Sequence, residues 1–284
     1  MRYRIRALRT LAEFKRCEEL QKEAWGFEDL DVVPLPMFQI AAKYDGIVLG
    51  CIESPGGRVV GFVYSLPARA HGRWVQYSHM LAVSPDTRRQ GLGLRLKLAQ
   101  ARTSLALGFH RLIWTFDPLQ ARNASLNLRR LGATVSQYFV DLYGPTSSPL
   151  HRGLPTDRLL ADWDVRGMGR RSGLPRRRAR RGGRASPESP IIYDCSKELL
   201  RDLRSPNFRS FRFAIPASIE DLKASDPAAA AKVQMRLRSV FVAAFRAGFR
   251  AVDFEIGAGD GPGHYLLVRG AGAGRGHRTG GGRR

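Results

Sequence analysis

The sequence predicts an α/β sandwich: a mixed, mostly antiparallel sheet flanked by helices, with a small C-terminal β-α-β-β extension. Three observations predict it. Hydrophobic periods of two and of 3.6 follow one another through Val165 in the order β-α-α-β-β-β-α-β-α-β-β. Runs of strands joined by short turns make antiparallel pairs, so this is not the strict alternation of a doubly wound parallel sheet. A glycine-spaced turn also separates an apolar strand from an amphipathic helix at Arg88-Arg89-Gln90-Gly91-Leu92-Gly93.

Taken in order, Tyr3, Ile5 and Ala7 alternate with arginines as in a short strand, and Leu11, Phe14, Cys17 and Leu20 repeat at helical spacing. A second short helix is expected over Pro36 to Lys43. Gly46 to Glu53 and Arg58 to Leu66 read as strands joined at Ser54-Pro55-Gly56-Gly57, and Trp74 to Val83 as a longer strand ending at Ser84-Pro85. After the glycine turn, Leu94, Leu98, Ala101 and Leu105 mark one helix face. Arg111 to Phe116 reads as a strand, Arg122 to Leu131 as a helix, Ala133 to Leu142 as a strand and Leu159 to Val165 as the last strand. In the C-terminal part, Arg209 to Ile215 alternates and Ser218 to Asp221 looks like a helix cap. Ala230, Val233, Leu237, Val240, Ala244 and Phe245 form a helical stripe ended by Gly248. Ala251 to Ile256 and His264 to Val268 complete the unit, which is expected to continue the sheet or cover one side of the site.

Composition divides the 284 residues into an ordered part at 1–166, a basic linker at 167–190, a second α/β segment at 191–269 and a Gly/Arg tail at 270–284. The linker and tail compositions are those of disordered chain. The net charge of +22 is concentrated: Arg166 to Arg184 holds nine arginines and Arg269 to Arg284 five, with no acid in either run. Such blocks stay solvated, and no aromatic residue interleaves them as a nucleic-acid stacking platform would require, so nucleic acid is a minor reading. No apolar run spans a membrane, and the first residues lack a secretory pattern. Cys17, Cys51 and Cys195 are distant from one another and without ligand spacing, so no metal is expected and a cytoplasmic setting is the default.

Chemistry concentrates at the glycine turn. Glycine permits positive φ and close ligand approach. The helix that follows presents unpaired N–H groups and the positive end of its dipole, and Arg88 and Arg89 add charge suited to phosphate. The alternative is a plain strand-to-helix turn.

Arg88-x-x-Gly91-x-Gly93 resembles the R/Q-x-x-G-x-G/A signature of the GNAT superfamily of acyl-CoA-dependent N-acetyltransferases. WTFDPLQARNASLNLRRLGA at 114–133, EAWGFEDLDVVP, GRVVGFVYSLP and YSHMLAVSPDTRRQGLGLRLKLAQ are similar to a bacterial family within it, and the pattern continues through FAIPASIEDLKASDPAAAAKVQMRLRSVFVAAFRAGFRAVDF. The resemblance implies the acyl-CoA N-acyltransferase fold and acetyl-CoA as co-substrate, lying between the strands that end at Val83 and Phe116. It implies a ternary complex in which a small amine attacks directly, with backbone N–H groups at Leu81, Ala82 and Val83 polarising the thioester. Arg88, Arg89, Gln90, Gly91, Leu92 and Gly93 would hold the pyrophosphate. Asn123, which shares a helix face with Asn127, would be a further cofactor contact or else a helix cap. Its bearing on assembly is open; a homodimer is one reading.

The glutamate that such enzymes often carry before the pyrophosphate loop is absent from RWVQYSHMLAVSP. His79 is the candidate base, expected on one sheet face with Leu81 and Val83; the alternative is a partly buried histidine with a backbone partner. Glu23, Glu53 and Asp117 are others, although Asp117 before Pro118 suits a turn. Where the family places an acidic tyrosine, this chain has Leu128, so Tyr138 is the candidate acid and Tyr143 a second. The missing groups leave a non-catalytic acyl-CoA-binding protein as the alternative function. Arg236 and Arg238 read as surface charges, with contact to an anionic acceptor as the alternative.

Overall fold

The structure, a computed structural model, describes residues 2–144, 153–168 and 189–270. The basic linker and the Gly/Arg tail fall almost entirely outside the described residues. Among those described, no helix is long and apolar enough to cross a membrane.

Strand β1 (Tyr3–Ala7) leads into α1 (Leu11–Trp25) through a reciprocal cap. The Thr10 hydroxyl accepts from the Glu13 N–H, and the Glu13 carboxylate accepts from the Thr10 N–H. Phe14, Cys17, Leu20 and Gln21 form its buried stripe, and Gly26 stops it at a φ of 66°. Helix α2 (Leu35–Lys43) precedes three antiparallel strands, β2 (Ile47–Glu53), β3 (Val59–Ala70) and β4 (Arg73–Val83). Strand β3 runs past Pro67, where a stop was expected. Pairing with β2 ends at Ser65, so that stretch is an edge on one side and tolerates a residue without an N–H.

Helix α3 (Leu92–Ala106) crosses to β5 (Arg111–Phe116), the parallel neighbour of β4. Helix α4 begins at Ala121–Ala124 and widens into a π-helical turn over Ser125–Arg130. Antiparallel β6 (Thr134–Phe139) and β7 (Arg158–Asp164) follow, with β7 between β5 and β6.

The C-terminal unit is larger than the expected β-α-β-β. It adds a short β8 (Ile191–Ile192) and α5 (Lys197–Asp202) before β9 (Ser210–Ile215), segments too short for periodicity to reveal. Two helices then stand where one stripe was read, α6 (Ile219–Ser225) and α7 (Pro227–Arg246), broken at Asp226, which caps α7 on the Ala229 N–H. Strands β10 (Phe249–Glu255) and β11 (Gly263–Arg269) close the chain.

Among the described residues all the strands join one eleven-stranded sheet in the order β1-β2-β3-β4-β5-β7-β6-β10-β11-β9-β8, parallel only at β4–β5 and β8–β9. The C-terminal unit thus continues the sheet, through a register pair of Ala251 with Val135. One apolar cluster runs from Leu112 and Trp114 to Phe241 and Tyr265, spanning the junction. Across it, Arg238 of α7 donates to both oxygens of the buried Asp157 at 2.9 Å, so Arg238 is a structural partner and not a surface charge.

Candidate active site

The two parallel strands at the middle of the sheet separate. Strands β4 and β5 pair only at Gln76–Leu112 and Tyr77–Ile113. From Ser78 to Val83 the β5-facing edge of β4 is unpaired, opposite Trp114 to Phe116. A bulge lies at this point: against β3, Ser78 pairs with Ser65 and Met80 with Tyr64, leaving His79 as the extra residue. A bulge bends and twists its strand, which assists the separation.

The register states which groups face the split. Ser84 N–H donates to the Val60 carbonyl on β3 at 2.8 Å. Alternation then turns the Ala82 N–H to β3 as well and those of Leu81 and Val83 into the split. Two of the three expected backbone donors are therefore available, and Ala82 is not.

The bulge also shifts side-chain parity. Leu81 and Val83 pack toward α3 with Leu92 and Leu96, whereas Met80 and Ala82 join Phe62 and Tyr64 under α1 and α2. His79 lies with the latter set, its ring centre 5.9 Å from Tyr64 and 6.2 Å from Tyr77. It does not share a face with Leu81 and Val83, because the extra residue breaks strict alternation. Part of the ring reaches solvent, but the flanking rings strip enough water to lower its pKa below that of free imidazole.

At the far end of the open edge lies the glycine turn. Ser84 donates to Glu23 at 2.9 Å, Glu23 is held by Arg16, and Arg88 reaches the Ala24 carbonyl at 3.4 Å, so α1 anchors the turn. Glu23, a candidate base, is thereby committed to structure, with its pKa lowered chiefly by Arg16. Arg89 and Gly91 take φ of 66° and 73°. The first helical bond is Arg95 N–H to Gly91 carbonyl, and Gly91 has no side chain to cap with. The N–H groups of Leu92, Gly93 and Leu94 thus open onto the turn, beside the exposed Arg88, Arg89 and Gln90. A Cβ on Gly93 would lie 3.6 Å from Leu81 Cδ2, an ordinary contact. Protein packing therefore does not demand glycine there.

On the His79 side of the split, a hydroxyl cluster closes the apex. Tyr143, carried back by the segment after β6, bonds through its hydroxyl to Thr115 Oγ1 at 2.7 Å, with the Arg158 guanidinium 5.1 Å from its ring centre. Tyr77 stands beside them, its pKa pushed up to about 12, mainly by burial. Tyr143 is a candidate from the sequence, whereas Tyr77 and Thr115 carry no sequence signal.

The remaining candidates lie elsewhere. Tyr138 is on β6, separated from β5 by β7, and its hydroxyl donates to Asp157 at 2.6 Å. Burial, with that carboxylate beside it, raises its pKa far above the usual phenol range, so it is locked in the Asp157–Arg238 network. Glu53 is held by Arg2 and Arg58. Asp117 accepts the Leu119 N–H at 2.8 Å and organises its turn. Asn123 is exposed inside α4 and is not its cap, which is Gln120; Asn127 is buried with Nδ2 unpartnered, and Leu128 is in the core.

A split parallel pair with inward N–H donors thus ends on a turn that opens onto a helix N-terminus. The model of the acetyltransferase (GNAT) family matches residues 7–133. Several solved structures resemble part of the chain. The protein yncA of Salmonella typhimurium, solved with its cofactor acetyl-CoA, is 18% identical over 58% of this chain and 95% of its own, with a TM-score of 0.47. The ribosomal-protein-S18-alanine N-acetyltransferase of Escherichia coli is 16% identical over 60% and 97%, with a TM-score of 0.45. An N-acetyltransferase of Staphylococcus aureus Mu50 is 13% identical over 58% and 99%, with a TM-score of 0.48. No curated protein matches the chain.

Proposed function

We propose that the chain transfers the acetyl group of acetyl-CoA to a small amine by direct attack within a ternary complex. The observation that carries this reading is the continuous path from the open N–H groups of Leu92, Gly93 and Leu94, along the inward N–H groups of Val83 and Leu81, to the His79–Tyr77–Tyr143 cluster at the apex. Acetyl-CoA, when bound, supplies an activated acyl thioester.

Each group then has a task. Arg88, Arg89, Gln90 and the α3 N-terminus bind the pyrophosphate, and Asn123 contacts the carrier from the β5 side. The Leu81 and Val83 N–H groups donate to the carbonyl oxygen as it gains charge. His79, kept neutral near pH 7 by its lowered pKa, accepts the proton that the attacking amine releases. Tyr143 replaces Tyr138 as the candidate acid that returns a proton to the departing sulfur, since it alone of the two reaches β5. The amine enters from the α1–α2 side, where His79 is exposed.

The test is release of CoA from acetyl-CoA across a panel of primary amines, with the amide product identified by mass. Amine-dependent release is expected. Tight acetyl-CoA binding with no transfer to any amine would leave the chain a carrier-binding protein instead.

A further inference from the structure

On the opposite, α3 side of the split a polar cluster is sealed in the core. Lys97, only 4% exposed, donates from Nζ to Ser78 Oγ at 2.7 Å and to Gln100 Oε1 at 3.3 Å. Gln100 Nε2 donates to the same Ser78 oxygen at 3.0 Å. The Lys97 Nζ also stands 3.8 Å from the ring centre of Trp114. Ser78 and Trp114 are the first residues of β4 and β5 beyond their last register pair. The cluster therefore bridges the two strands at the apex where they part. Burial without a neighbouring carboxylate pushes the pKa of the Lys97 amine well below its ordinary range.

This inference rests on the carrier-site reading above. With the pyrophosphate at the turn, an arm lying along Val83 toward Ser78 points its acyl end at the apex. We propose that the Lys97–Ser78–Gln100 bridge, closed by Trp114, is the floor of the acyl pocket and restricts the donor to acetyl-sized groups, with Lys97 as the specificity-determining residue. A longer chain would have to drive methylenes between Ser78 and Trp114 and part buried donors from their acceptors. Leaving such groups unpaired costs more than burying one or two methylenes returns.

The test uses the full chain and three variants, Lys97→Met, Lys97→Ala and Ser78→Ala, with unacylated CoA, acetyl-CoA and butyryl-CoA as probes in calorimetry. Turnover with any accepted amine gives the kcat/KM ratio of the two acyl donors. The unchanged protein is expected to bind CoA and acetyl-CoA and to discriminate against butyryl-CoA. The variants are expected to keep their affinity for unacylated CoA and to raise the butyryl-to-acetyl ratio by about tenfold. Equal use of both donors by the unchanged chain overturns the proposal, and needs no variant to fold. So does an unaltered ratio in folded variants that still bind CoA. Failure of the unchanged chain to bind unacylated CoA removes the carrier-site reading itself, and this inference with it.

Discussion

Replacing Gly93 by alanine separates binding from stability with one methyl group. Glycine within a helix costs roughly 0.5–1 kcal/mol relative to alanine. The added Cβ would meet Leu81 Cδ2 at 3.6 Å, an ordinary van der Waals distance, so no packing penalty offsets the gain. Melting is expected to rise by about 1–4 °C, taking about 2–4 °C per kcal/mol for a chain of this size. The same methyl projects over Leu81 at the entrance of the split, at the pyrophosphate site proposed above. Loss of one charge-assisted hydrogen bond, about 1.5–3 kcal/mol, lowers acetyl-CoA affinity by roughly 10- to 100-fold. Differential scanning calorimetry and titration calorimetry on one preparation read both effects. A variant that melts higher and binds acetyl-CoA unchanged would refute the cradle. Gly91→Ala is a poorer probe, because a φ of 73° makes alanine cost about 1–2 kcal/mol by strain alone.

Further outcomes are expected. His79→Gln should lower kcat/KM by about 100-fold and abolish the acidic limb of its pH profile, a limb centred below the ordinary imidazole value because burial lowers that pKa; an unchanged profile assigns the base elsewhere. The same shift means the folded protein binds this proton less readily than the unfolded chain, so His79 destabilises the fold as pH falls through that window, and the variant removes that slope. Tyr143→Phe should reduce kcat while Tyr138→Phe leaves it nearly unchanged in protein that remains folded, and steady-state turnover showing the reverse would restore Tyr138 as the acid. Arg238→Met should destabilise by roughly 3 kcal/mol by stranding the buried Asp157, read as a melting drop of about 10 °C. Burial raises the pKa of Asp157, but Arg238 and Tyr138 bonds prevail and lower it below the ordinary carboxylate range. The stability it contributes is therefore present above that range and lost as pH falls through the depressed value, and a melting curve flat with pH would contradict this.

Much of the architecture was legible because periodicity and turn chemistry report local structure. The capped helices, the β2–β3 hairpin and the glycine turn each carry their signal within a few residues. The site's inner geometry was not legible. A one-residue bulge has no composition, yet at His79 it moves a side chain to the other face of the sheet. Lys97 carries no sign of burial in the sequence; it is buried because its head finds Ser78 and Gln100 and rests on Trp114, partners set by strand register. Tyr143 reaches Thr115 only because β7 inserts between β5 and β6, bringing the segment after β6 back to the split. Arg238 belongs to the same class, since its partner Asp157 lies in a different part of the chain. The departure from the family at Leu128 was visible in sequence, and the structure places that residue in the core.

The central claim is that acetyl-CoA lies along the open edge of β4 with its pyrophosphate on the α3 N-terminus. Amide hydrogen exchange with and without acetyl-CoA tests it most directly. The account predicts new protection at Leu81, Val83, Leu92, Gly93 and Leu94, with Ala82 and Ser84, already bonded to β3, little changed. Binding that leaves those five amides exchanging as before, or that protects a different part of the sheet, would contradict it.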